Sequence, residues 1–141
     1  MSGIGDINGD TLTDIALGAQ GADSYAKRVE VILGRNNSWP TSLSLPVNTT
    51  ADGFEIKGEA ADNYLGSSIA EMSDFNGGNI NDFAIGTPYF LSTAAGKAHI
   101  LLGSKGTWPL SFNASMIGSS VSGVTQTGPL STYFGRSLAT G

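Results

Sequence analysis

One run of nine residues has the types and spacing to hold a metal ion: Asp6-Ile7-Asn8-Gly9-Asp10-Thr11-Leu12-Thr13-Asp14. Oxygen-bearing side chains stand at its first, third, fifth and ninth positions. A hard cation such as Ca2+ takes several oxygen ligands, from carboxylates, amides and backbone carbonyls. A short loop can wrap one ion if alternate residues point inward, and Gly9, without a Cβ, lets the chain turn tightly. Leu12 has no side-chain ligand, but its backbone carbonyl can serve. Three carboxylates this close repel one another unless a counter-ion joins them. The apolar run Ile15-Ala16-Leu17-Gly18 follows at once, which ties the loop to a strand. An EF-hand would instead need an entering helix and a glutamate at its twelfth position. The competing reading is a solvated turn of Asp, Asn and Gly that holds no metal.

The elements that would position this loop recur along the chain. Asp6-Ile7-Asn8-Gly9 returns as Asp74-Phe75-Asn76-Gly77, and Asp14-Ile15-Ala16-Leu17-Gly18 as Asp82-Phe83-Ala84-Ile85-Gly86. Val31-Ile32-Leu33-Gly34 returns as Ile100-Leu101-Leu102-Gly103, Trp39-Pro40 as Trp108-Pro109, and Tyr64-Leu65-Gly66 as Tyr133-Phe134-Gly135. The offset is 68 residues for the first two segments and 69 for the rest. Self-similarity at a fixed period marks a repeat architecture.

Each unit reads as four strands. In the second they are Tyr64–Met72, Phe83–Gly86, Lys97–Leu102, and a weaker one near Ser111–Phe112 or near Val121–Thr125. The first unit has Asp14–Gly18, Arg28–Leu33 and Gly53–Lys57. On the third strand of unit two, Ala98, Ile100 and Leu102 face one way, and Lys97, His99 and Leu101 the other. Four short antiparallel strands at a fixed period predict an all-β fold of β-propeller blades. Met1-Ser2 aligns with Ile69-Ala70, so the chain opens within a first strand. It closes on another, Tyr133–Gly141, which is expected to pair with a following unit or with a neighbouring chain. The units therefore run from about 1 to 63 and from about 64 to 132, with 133–141 beginning a further blade.

Composition agrees with an all-β chain of many turns: 141 residues can bury a core, and 20 are glycine. The net charge is −5 and the seven basic residues are scattered, which argues against nucleic acid. No apolar run approaches a membrane span. The absence of cysteine excludes disulfides, zinc-thiolate sites and thiol catalysis. Three glycosylation sequons begin at Asn36, Asn48 and Asn113, in keeping with an extracellular or cell-surface setting. Met1–Gly5 has neither the basic start nor the apolar stretch of a signal peptide. The one histidine, His99, aligns with Glu30 and is expected to be a solvated strand residue. Neither a G-x-S-x-G elbow nor an H-E-x-x-H motif occurs. Trp39-Pro40 and Trp108-Pro109, at the same phase of both units, read as structural turn plugs.

Taken together, these motifs resemble FG-GAP repeats, the propeller blades of integrin α-chain heads. The Phe-Gly pair stands as Phe134-Gly135 and as Leu65-Gly66, and the Gly-Ala-Pro triplet as Gly18-Ala19-Gln20 and Gly86-Thr87-Pro88, each keeping two of three letters. The family's calcium loop sits between them. The resemblance implies a seven-bladed propeller with Ca2+ in loops on one face, binding other proteins or glycans rather than catalysing a reaction. It implies Asp6, Asn8, Asp10 and Asp14 as side-chain ligands, with Leu12 as backbone ligand. In the second loop it implies Asp74, Asn76 and Asp82, with Ile80 as backbone ligand. Gly78 replaces a carboxylate there, which weakens the site unless Asn79 reaches inward. Two alternatives are a structural subunit assembling head-to-tail into a ring or fibre, and a propeller accessory to a secreted hydrolase.

Overall fold

The computed structural model describes residues 1–19, 27–59, 64–89 and 95–139. The fold is all-β, with no α-helix among the described residues. Its first sheet contains β1 (Ser2–Gly5), β2 (Asp14–Ala19), β3 (Arg28–Ile32) and β4 (Gly53–Lys57), each antiparallel to the next. The second contains β5 (Ile69–Glu71), β6 (Phe83–Thr87), β7 (Lys97–Leu101) and β9 (Gly123–Thr127), also antiparallel. Between β7 and β9 the chain crosses back. There β8 (Ser111–Asn113) lies parallel to β4 as a fifth strand of the first sheet.

The pairing registers of the two sheets correspond. Ser2 faces Ala16 as Ala70 faces Ala84, and Ile15 faces Ile32 as Phe83 faces Leu101. Ile32 faces Gly53 as Leu101 faces Gly123. The fourth strand of unit two is thus Gly123–Thr127, and the Ser111 segment belongs to the other sheet.

The long strand expected at Tyr64–Met72 is shorter. Tyr64 and Gly66 have φ of 53° and 82°, and the Ser67 N–H donates to the Tyr64 carbonyl, so these residues turn. Small residues that alternate like a strand are here a tight corner, and only Ile69–Glu71 pairs. The segment from Tyr133 behaves likewise: Tyr133 and Gly135 have φ of 51° and 80°, and Phe134 makes a single parallel bridge with Gly96. Gln20, residues 60–63 and residues 140–141, on which parts of the expected units fall, lie outside the described residues.

The reason for the glycine pairs is contact. A Cβ on Gly18 would overlap the carbonyl oxygen of Gly66, and one on Gly86 would overlap that of Gly135. The glycine of each corner thus rests on the penultimate residue, also glycine, of the second strand of the preceding unit.

One hydrophobic cluster spans both sheets, with Ile4, Ile7, Val29, Val31, Phe54 and Ile56 on one side and Leu65, Phe83, Ile85 and Leu101 on the other. At the seam Phe54 of β4 stacks on Trp108, with ring centroids 4.7 Å apart, and on Phe112 of β8 at 5.8 Å. Only Trp108 is the plug expected of both tryptophans: it is 8% exposed, whereas Trp39 is 51% exposed and lies under the Arg35 guanidinium.

His99 and Glu30 are buried, not solvated. Each sits on a central strand with a neighbour on either side. His99 Nδ1 bonds Thr125 Oγ1 at 2.9 Å, and Glu30 meets Arg28 Nε at 3.0 Å and the Val47 N–H. Burial lowers the His99 pKa from 6.5 to about 4; the Glu59 charge pulls it up and Lys97 down. The unfolded chain binds the proton below its own pKa of 6.5, and the folded chain only below about 4. Stability is therefore full above the unfolded value and falls as pH drops between these two values. The loss is on the order of 3 kcal/mol. Urea unfolding across this range should show that slope in the parent chain and a flatter one in His99→Gln; equal slopes would refute the assignment.

Candidate metal centre

Each loop between a first and a second strand is built on one buried carboxylate. Asp14, fully buried at the start of β2, accepts the Ile7 N–H at 2.9 Å through Oδ2 and the Gly34 N–H at 2.7 Å through Oδ1. Asp82, at the equivalent place before β6, accepts Phe75 N–H at 3.0 Å and Gly103 N–H at 2.7 Å. One side chain thus ties the entry of the loop, the start of the second strand and the exit of the third. The glycines are needed because they lie hard against the residue before the carboxylate. A Cβ on Gly34 would meet the Thr13 carbonyl oxygen at 2.7 Å, and one on Gly103 would overlap that of Asn81.

The first aspartate closes the loop from inside. Asp6 Oδ1 accepts Gly9 N–H at 2.7 Å and Asp10 N–H at 3.1 Å, and Oδ2 accepts Thr11 N–H at 2.7 Å. Asp74 does the same for Gly78 and Asn79, both at 2.8 Å. The backbone turns correspond too, with φ of 79° at Gly9 and 78° at Gly77, and 72° at Thr11 and 62° at Asn79. A β-branched threonine resists that region, which asparagine visits more readily. Asp6 Oδ2 holds Thr11 there.

Donor capacity separates the loops. A carboxylate oxygen has two acceptor directions. In the first loop, Asp6 Oδ2 and both oxygens of Asp14 each take one donor. Asp10 accepts the Leu12 N–H on one oxygen and the Asn8 amide on the other, and Asn8 Oδ1 accepts the Asp10 N–H. Free lone pairs therefore remain on every ligand-type residue of this loop. In the second, Asp82 takes four donors: the amides of Phe75, Asn76 and Gly103, and the Asn76 side chain at 3.3 Å. Its acceptor capacity is spent, Asn76 is turned toward it as a donor, and Gly78 offers no side chain.

The carboxylates of the first loop are not drawn to one point: among the described residues no three Asp, Glu or His side chains form a metal cluster. They still feel one another. Burial raises the Asp14 pKa, its two amide bonds oppose that, and the charges of Asp10 and Asp6 add to the rise. The first loop thus fits a hard cation in donor chemistry and in spare acceptor capacity. In the second loop Asp82 is saturated, and spare acceptor directions remain on Asp74, one on each oxygen.

Surroundings differ as well. The first loop is clamped by unit two: Asn81 N–H donates to the Asp6 carbonyl at 2.9 Å and Ser104 N–H to the Ile7 carbonyl at 3.0 Å. The stem of Lys105 crosses Gly9. An open cavity of about 250 Å³ lies between, lined by Asn8, Asp10, Thr50, Lys105 and Trp108. Asp6 and Asn8 are half-buried, whereas Asp74, Asn76 and Gly78 are exposed; Leu12 and Ile80 are half-buried in their loops. Asn36, Asn48 and Asn113 are all exposed. Sequence reasoning missed the Gly34 and Gly103 amides as partners of Asp14 and Asp82. Their signal was present, since Leu33-Gly34 recurs as Leu102-Gly103.

No protein-family model matches the chain, and a search of curated proteins gives no match.

Without added metal, Asp14→Ala should cost about 3 kcal/mol, because it leaves the buried Ile7 amide unpaired, and Asp82→Ala should cost less, because its Phe75 and Asn76 amides lie on exposed residues. Asp10→Ala, on an exposed side chain, should cost less than about 1 kcal/mol under the same conditions. Denaturant unfolding in chelator measures all three, and equal losses would contradict the structural role of Asp14.

Proposed function

We propose that this chain is a non-catalytic, calcium-stabilised segment of an FG-GAP-type β-propeller from an extracellular or cell-surface protein. Its role is adhesion, or binding of other proteins or glycans. The observation that carries the reading is the loop: in both sheets the same carboxylate-to-amide bonds tie the loop entry, the start of the second strand and the exit of the third. The glycine contacts Gly18–Gly66 and Gly86–Gly135 support it, since they put the two halves of the family's motif against each other. In this reading the units run from about 1 to 63 and from about 64 to 132, with 133–141 opening a further blade.

Calcium belongs, in this reading, to the first loop. Asp6, Asn8, Asp10 and Asp14 supply side-chain oxygens and Leu12 its carbonyl, so the ion supplies the counter-charge that three carboxylates lack. Asp74, Asn76, Ile80 and Asp82 form the weaker site, because Gly78 brings no charge and affinity follows ligand charge. The reading as a non-enzyme is supported by His99, which is buried against Thr125 and out of reach of a substrate. A second reading, a structural subunit assembling head-to-tail, is favoured by the outer edge of β9, which carries no strand among the described residues.

Thermal unfolding with and without calcium tests the metal. Binding to the folded form alone adds RT ln(1 + [L]/Kd), about 2.7 kcal/mol at a hundredfold excess over Kd. The melting temperature should rise with calcium and fall with chelator. Asp10→Ala should remove most of that rise, and any change at Gly78 should remove less. A melting temperature indifferent to both additions would sink the calcium assignment.

A further inference from the structure

The two units have the same local structure but different neighbours, and the seam between them shows what the unit surfaces are shaped to meet. Register makes Val124 the counterpart of Phe54: Phe54 faces Val31 as Val124 faces Ile100. Phe54 is fully buried under Trp108, while Val124 is 53% exposed and Trp39, the counterpart of Trp108, is 51% exposed. Each half of the buried aromatic contact therefore recurs half-exposed, the tryptophan on unit one, with Arg35 over its ring, and its seat on unit two.

The backbone repeats the asymmetry. After Trp108-Pro109 the chain forms β8 on the outer edge of β4, pairing Ser111, Phe112 and Asn113 with Glu55, Ile56 and Lys57. The Glu55 N–H also donates to the Leu110 carbonyl at 2.9 Å. After Trp39-Pro40 come Thr41-Ser42-Leu43-Ser44, which pair with no strand among the described residues. The outer edge of β9, at Thr125–Thr127, likewise carries no strand among them. An open edge is a template for another chain.

We propose that the Trp39–Ser44 arm of one copy docks on the β9 edge of a second copy, repeating between chains the contact that Trp108–Asn113 makes within one. Trp39 covers Val124, and Ser42-Leu43-Ser44 run parallel to Thr125-Gln126-Thr127. Leu43 takes the place of Phe112, and the Thr125 N–H donates to the Thr41 carbonyl. The occupant is a second copy because arm and edge lie on the same chain and the internal seam is their template. Donor and acceptor surfaces differ, so the contact is heterologous and propagates head-to-tail into a ring or a filament. The proposal goes beyond the propeller reading and stands without calcium, since it uses only the seam.

Two surface variants test it. Trp39→Ala removes the arm's anchor. Thr127→Pro removes an N–H that points outward from β9, by the two-residue alternation that begins at the counterpart of Glu55. An edge strand tolerates proline at such a position. Sedimentation velocity over a range of concentrations should give the 141-residue chain masses rising from 14.5 kDa to discrete multiples of it. Each variant alone should stay at the single-chain mass with an unchanged circular dichroism spectrum. Mixed, they should form a two-chain species, because the intact arm of Thr127→Pro meets the intact edge of Trp39→Ala. A parent chain that stays monomeric, variants that still associate, or a mixture that does not pair would each overturn the proposal. Association unchanged by chelator would leave it intact even if the calcium reading failed.

Discussion

The fold depends on two buried carboxylates, Asp14 and Asp82, each of which joins three pieces of backbone that are distant in sequence. Asp14 holds residues 7 and 34, and Asp82 holds residues 75 and 103. A buried charge is costly unless donors surround it, and backbone amides are the donors that a turn can offer. The loop geometry follows from this constraint. The amides of residues 7 and 75 must point back toward the second strand, which forces the left-handed turns that come after them. Gly34 and Gly103 must come within van der Waals reach of the residues before the carboxylates, which excludes any side chain there.

The same chemistry makes the first loop ambiguous by nature. An aspartate that caps its own loop and an aspartate that ligates a cation use the same oxygens in different directions. In the first loop those oxygens keep spare acceptor capacity; in the second, Asp82 spends all of its own on amides. One substitution, a glycine at position 78 where the first unit has Asp10, goes with this difference. A metal-type loop can thus keep its shape through its own hydrogen bonds after losing a charge.

Identical local structure does not produce identical surroundings. Ile7 is fully buried and its counterpart Phe75 is 61% exposed, although the amide of each is bonded to the equivalent carboxylate, Asp14 or Asp82. The difference comes from unit two, whose Asn81 and Ser104 amides close over the first loop. The seam holds an aromatic cluster, with Phe54, Trp108 and Phe112 stacked within 6.4 Å. Offset stacking of this kind adds about 1 kcal/mol per pair beyond the area buried.

What the sequence by itself determined was local and periodic. The all-β class, the second and third strands of each unit, the two loops and the equivalence of positions 6 and 74 or 14 and 82 were legible. They follow from alternation, from glycine placement and from a recurring spacing, all of which act over a few residues. Tertiary structure decided the rest. It made a corner of Tyr64–Ser67, because Tyr64 and Gly66 turn left-handed to bring Gly66 against Gly18. It moved Ser111–Asn113 into the other sheet, because the edge of β4 and the Trp108 seat lie there. It buried His99 and Glu30, because a face of a strand is inside or outside only once its neighbours are in place. Trp39 and Trp108 read alike along the chain, and only the packing of one unit on the next separates the buried ring from the half-exposed one.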